Sequence, residues 1–160
     1  MRKMVPLLLF LSFGLGVVQA QTLPAKIKTA LNKSYKGWKL APASNGCSEE
    51  YRKSFLEGDF DGDRETDYVV KFTVRRKGYM VAFLKRRSSY RNYLLHSMTA
   101  SGMRETALGI FAKGQEWSTG DFDDPNAQTV TMENDAVFDG PCESDNTGIH
   151  VYKNGRFQSM

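Results

Sequence analysis

The chain has 160 residues, 41% of them hydrophobic, a size that supports one domain with a real core and is too small for two comfortable ones. Its 22 basic residues become 20 once Arg2 and Lys3 are set aside, against 18 acidic ones, so the distribution of charge carries more information than its sum. After the first twenty residues no stretch is apolar enough for a transmembrane helix, which excludes a helical membrane span in the mature chain.

Arg2 and Lys3 precede an apolar run from Val5 to Val18 that is too short to span a bilayer, and Val18-Gln19-Ala20 has the small-x-small pattern of a cleavage site. Residues 1–20 therefore predict a secretory signal peptide, with the mature chain beginning at Gln21 and a secreted or periplasmic location. No cysteine lies near the cut, which argues against a lipid anchor. Leu23, Ile27, Ala30, Leu31 and Tyr35 then recur at helical spacing behind Pro24, predicting a helix over about 24–35 that ends at Gly37. Trp38 and Leu40 alternate with Lys39 into a short strand or extended link, and Pro42-Ala43-Ser44-Asn45-Gly46 is a loop by composition. The only cysteines, Cys47 and Cys142, are expected to form a disulfide in an oxidising compartment. A catalytic thiol is the rival reading, disfavoured because neither has a histidine near it in sequence.

Tyr68–Arg76 and Tyr79–Arg87 alternate about Lys77-Gly78, predicting a β-hairpin with Val70 opposite Lys85, Phe72 opposite Phe83 and Val74 opposite Val81. One side of it is apolar, built from Val70, Phe72, Val74, Val81 and Phe83. The other, which includes Val69, Lys71, Thr73, Met80, Ala82 and Leu84, is only half apolar, and so is either partly solvated or covered by the helix. Further strand patterns fall at Tyr90–Met98, Thr106–Ala112, Thr129–Met132, Ala136–Phe138 and Ile149–Tyr152. Asn154-Gly155 signals a tight turn that returns the chain through Arg156 to Ser159. The fold expected is α+β: an N-terminal helix packed on an antiparallel β-sheet of about seven short strands, in a single domain over 21–160.

Residues 68–104 hold nine lysines and arginines and no acid, whereas 116–160 hold nine acids against Lys153 and Arg156. Such asymmetry marks either a basic face for an anionic partner, centred on Arg75, Arg76 and Lys77, or two halves of one fold that attract each other. Outside the cytoplasm nucleic acid is a poor partner, whereas envelope phosphates, acidic glycans or another exported protein are physically available.

The densest chemistry lies in Gly58-Asp59-Phe60-Asp61-Gly62-Asp63-Arg64-Glu65-Thr66-Asp67, followed by Tyr68-Val69-Val70. Alternate carboxylates in a tightly curled loop converge on one point, and a hard cation such as calcium takes several oxygen ligands around such a point. This segment, residues 58–70, resembles the calcium loop of FG-GAP and VCBS-type repeats, found in propeller-like and many exported bacterial proteins. The resemblance implies side-chain ligands from Asp59, Asp61, Asp63 and Asp67, a backbone carbonyl from Glu65, a loop joining two strands, and little about activity. The chain departs from the pattern at Arg64, where glycine is usual and φ > 0 is expected. One good loop also cannot close a propeller. Arginines at 86 and 87, placed near Asp67 by the expected register, offer neutralisation without metal. Gly120-Asp121-Phe122-Asp123-Asp124 echoes the start of the loop, but Pro125 and Thr129 fall where further ligands would be needed.

Catalytic patterns are missing. His96 and His150 stand in no metal-ligand spacing, and no nucleophile elbow, phosphate-binding loop or dinucleotide fingerprint occurs. Adjacent Asp123 and Asp124 read as solvated turn residues, and His96 as a hydrogen-bonded strand residue. The sequence therefore points to an exported, non-enzymatic binding or structural envelope protein with a calcium- or arginine-neutralised acidic loop. The rivals are a periplasmic inhibitor or immunity protein, and a small hydrolase with an unfamiliar site using Asp59 or His96.

Overall fold

A computed structural model describes residues 22–43, 46–118, 127–142 and 147–160. The expected signal peptide and the Gly120–Asp124 echo lie outside the described residues, as do Asp123 and Asp124. The first helix, α1 (Ala25–Ser34), begins behind Pro24, whose carbonyl accepts from Lys28 N at 3.0 Å, and buries Ile27 and Leu31. Gly37, at φ +78°, turns the chain out of the helix into β1 (Lys39–Leu40). The remaining strands are β2 (Phe55–Gly58), β3 (Asp67–Val74), β4 (Lys77–Arg86), β5 (Ser89–Thr99), β6 (Thr106–Phe111), β7 (Glu116–Ser118), β8 (Thr129–Thr131), β9 (Ala136–Pro141), β10 (Gly148–Lys153) and β11 (Arg156–Ser159). A second helix, α2 (Ala100–Glu105), joins β5 to β6 and is capped by the Thr99 hydroxyl, which accepts from Gly102 N at 3.1 Å.

Among the described residues there are thus eleven strands in three sheets and two α-helices, a mostly β architecture. This corrects the α+β expectation of one helix on one sheet of about seven strands. The first sheet runs β1-β3-β4-β5, with β2 also paired to β3; the second runs β11-β10-β9-β6; β7 and β8 form a ribbon. The reason for the error lies in the half-apolar face of β3 and β4. Val69, Met80, Ala82 and Leu84 on that face are fully buried, packed with Leu108 of β6 and Val137 of β9. A second sheet covers it, and Lys71, a polar residue in the middle of the face, is buried with the rest. The opposite face carries Val70, Phe72, Val81 and Phe83 under Leu23, Ile27 and Leu31 of the N-terminal segment. Helix, first sheet and second sheet therefore stack as layers, and the β3–β4 centre of the first sheet is buried on both faces.

The main hairpin also turns elsewhere than expected. Val74 pairs with Lys77, Phe72 with Tyr79, Val70 with Val81 and Tyr68 with Phe83, so the turn is Arg75-Arg76 and the register is displaced by four residues. An even displacement keeps each side chain on its face, which is why the apolar side was read correctly. Gly78 does not make the turn; it lies in β4 beneath Met103 of α2, and a Cβ there would collide with that side chain. Arg75 takes the turn at φ +54°, a conformation that ordinarily goes to glycine. The Asn154-Gly155 turn stands as read, with both residues at positive φ and Lys153 paired to Arg156.

Candidate functional site

The acidic loop is the connection between β2 and β3, closed at its base by the Gly58–Asp67 pair. Phe60 anchors it, being fully buried in the core between the two large sheets. That anchor sends the alternate residues Asp59 and Asp61 to the other side of the curl. Two positive-φ residues bend the loop, Gly62 at +79° and Arg64 at +66°, the latter at the position where the resemblance calls for glycine. Carboxylates hold the bends from within: Asp59 Oδ2 accepts from Arg64 N at 3.1 Å, Asp61 Oδ1 from Asp63 N at 3.3 Å and Asp63 Oδ1 from Glu65 N at 2.9 Å.

Three of the four expected side-chain ligands converge. Asp59, Asp61 and Asp67 place one oxygen each within 4.8 Å of one another. Asp67 is fully buried and accepts from two backbone groups, Phe60 N at 3.1 Å and Lys85 N at 2.7 Å. Burial pushes its carboxyl up to about 6, and the neighbouring charges of Asp61 and Asp63 add to that against the two hydrogen bonds. The Asp59 Oδ1 atom is buried and has no hydrogen-bond partner among the described residues. An unpaired buried carboxylate oxygen costs free energy until a donor or cation meets it.

Asp63, the fourth side-chain ligand expected, is engaged elsewhere, and the Glu65 side chain, which the expectation does not use, is paired as well. Asp63 lies 3.2 Å from Arg86, and Glu65 forms an ion pair with Lys85. Arg86 also reaches Asp61 at 2.5 Å, where the Asp61 side chain is only 3% exposed. Arg86 is thus the arginine that meets the loop, on Asp61 and Asp63 rather than on Asp67, whose oxygens take the Phe60 and Lys85 backbone N–H groups. The cations that answer the loop, Lys85 and Arg86, come from the end of β4. Asp135 was not foreseen: its Oδ2 accepts from Asp59 N at 2.9 Å and its Oδ1 from Lys113 N at 3.0 Å, fastening the loop to the second sheet's approach. No spacing rule links positions 59 and 135, which meet only through the fold.

At the β3–β4 turn, Arg75, Arg76 and Lys77 share a shallow groove of about 530 Å³ with Lys36, Val74 and Tyr79. Among the described residues none of these four cations is ion-paired to a carboxylate. Cys47 and Cys142 lie at disulfide distance, their Cα atoms 4.6 Å apart, and tie the loop before Glu49 to the end of β9. No protein-family model, curated protein or solved structure matches the chain. Among the described residues no helix is long and apolar enough to cross a membrane.

Proposed function

We propose that this is an exported protein that binds an anionic partner, with a calcium ion clipping the acidic loop into the shape that the surrounding strands require. The observation that carries the clip is the meeting of Asp59, Asp61 and Asp67, together with an Asp59 oxygen that is buried and unpartnered among the described residues. Carboxylates so crowded repel, and Arg86 and Lys85 answer only part of their charge. Calcium suits an all-oxygen site of this kind, with Asp59, Asp61 and Asp67 as the side chains that hold it. Export is supported by the disulfide-distance cysteines and by the N-terminal sequence pattern. The basic groove around Arg75, Arg76 and Lys77 is the surface offered to an envelope phosphate or acidic glycan.

A second reading rests on Arg86, which contacts two of the loop acids and makes the loop a metal-free ion network. Thermal melting of residues 21–160 in calcium and in chelator separates the two. A ligand that binds only the folded state stabilises it by about 2.7 kcal/mol at a hundredfold excess over its Kd. The clip predicts a Tm that rises with calcium; a Tm unmoved by millimolar calcium leaves the Arg86 network as the explanation.

A further inference from the structure

Outside the loop and the groove, a chain of polar side chains crosses the second sheet. Ser159 Oγ lies 3.0 Å from His150 Nδ1, His150 Nε2 lies 2.9 Å from Asp139 Oδ1, and Asp139 Oδ2 lies 3.1 Å from His96 Nδ1. Asp139 and His150 are each 5% exposed, whereas Ser159 and His96 at the two ends are exposed. Each contact follows from the sheet. His150 and Ser159 are cross-strand partners, and because Met160 N bonds to Ile149 O they form a non-hydrogen-bonded pair, where side chains approach most closely. In β5 the register shifts opposite Met80 and Val81, and this bulge lets both His96 and Tyr93 face the second sheet, Tyr93 meeting Tyr152 at 3.2 Å between hydroxyls.

The direction of these hydrogen bonds is set by the carboxylate. Burial pushes the Asp139 carboxyl up, but hydrogen bonds from His150 and His96 outweigh it and hold the group below its ordinary range, so it is ionised. An ionised carboxylate only accepts, so each histidine donates to it. The tautomer with its proton on Nε2 leaves Nδ1 as an acceptor for the Ser159 hydroxyl. This is the order of nucleophile, base and carboxylate that activates a serine, with the roles of the two ring nitrogens exchanged. Ser159 also lines a cavity of about 210 Å³ together with Val130, Asn134, Lys153 and Gln158.

We propose that Ser159 is a nucleophile with His150 as its general base and Asp139 as the positioning residue, acting on small carboxylic esters. Ser159 Oγ bonds to the ester carbonyl carbon while its proton passes to His150 Nδ1. The bond from that carbon to the alcohol oxygen then breaks, and the alcohol leaves with the proton. Water next attacks the acyl-serine, giving its proton to the same nitrogen; the acid departs and the serine hydroxyl is restored. This activity is additional to the binding role and independent of the calcium clip.

The test uses the full chain, a fluorophosphonate probe with mass-spectrometric mapping, and p-nitrophenyl acetate turnover. Ser159 is expected to be labelled faster than the exposed Ser101, and Ser159→Ala, which removes only a surface hydroxyl, to abolish both signals. His150→Ala should lower the rates about 100-fold or more, with added imidazole restoring part of the loss, a rescue that a purely structural histidine would not show. Asp139→Asn should lower them too, with a lower Tm because an amide accepts from only one of the two histidines. An unlabelled Ser159, labelling no faster than Ser101, or labelling indifferent to His150→Ala overturns the proposal and leaves the chain as a tie between the sheets.

Discussion

Asp67 makes stability depend on pH in an unusual direction. Its carboxyl sits at about 6 in the folded protein against an ordinary 3.8, so the folded state holds the proton more tightly than the unfolded chain. The resulting stabilisation is fully present below the unfolded value and is lost as pH rises through the folded one. A shift of this size corresponds to about 3 kcal/mol lost between roughly pH 4 and pH 7. The isolating comparison is Asp67→Asn. The two oxygens of Asp67 accept from N–H groups of different strands, Phe60 and Lys85, and an amide can accept on one side only. The variant therefore loses one buried hydrogen bond, about 1–3 kcal/mol at low pH, and loses the titration altogether. Urea unfolding in chelator, at half-unit steps from pH 4 to pH 7.5, should give a wild-type curve that descends toward and meets or crosses that of the variant. Calcium, which requires the ionised carboxylate, should remove the wild-type descent. Parallel profiles for the two proteins would show that Asp67 does not titrate in this window and would refute the reasoning.

Lys71 behaves oppositely. Burial draws its ammonium down to about 8, against partial support from Asp139, so wild-type stability should rise by about 3 kcal/mol between roughly pH 8 and pH 10.5, and Lys71→Met should flatten that rise in guanidinium melts. Reduction, or Cys47→Ala, opens a link across 95 residues and should cost up to about 4–5 kcal/mol, read as a drop in unfolding midpoint. Reversing Arg75, Arg76 and Lys77 to glutamate should abolish binding to anionic vesicles or glycans and its salt dependence, while Tm holds; binding that survives both reversal and high salt removes the groove from the account.

What could be read from the residues was local. α1 announced itself through Leu23, Ile27 and Leu31, and the last hairpin through Asn154-Gly155, because both signals sit within a few positions. The β3–β4 hairpin showed its faces but not its register, since Arg75 accepts a backbone conformation that favours glycine while Gly78 serves to admit Met103. Lys71 hid the second sheet: a lysine in mid-strand made a buried face look wet, although its ammonium finds Thr106 O and the charge of Asp139. α2 is six residues long, too short for a periodic pattern to register. Of the loop, the convergence of Asp59, Asp61 and Asp67 was legible, but the diversion of Asp63 to Arg86 and the pairing of the Glu65 side chain with Lys85 depended on the true register. The Ser159–His150–Asp139–His96 chain left no trace at all, because four strands contribute to it from distant positions.

Calorimetric titration of calcium into chelator-stripped protein, with Asp59→Asn in parallel, asks whether the acidic loop holds an ion. One equivalent per chain in the wild type, and none or far weaker uptake in the variant, is the expected result. Heats indistinguishable from dilution in the wild type, or uptake equal in both proteins, would contradict the clip and leave Arg86 and Lys85 as the loop's counter-charges among the described residues.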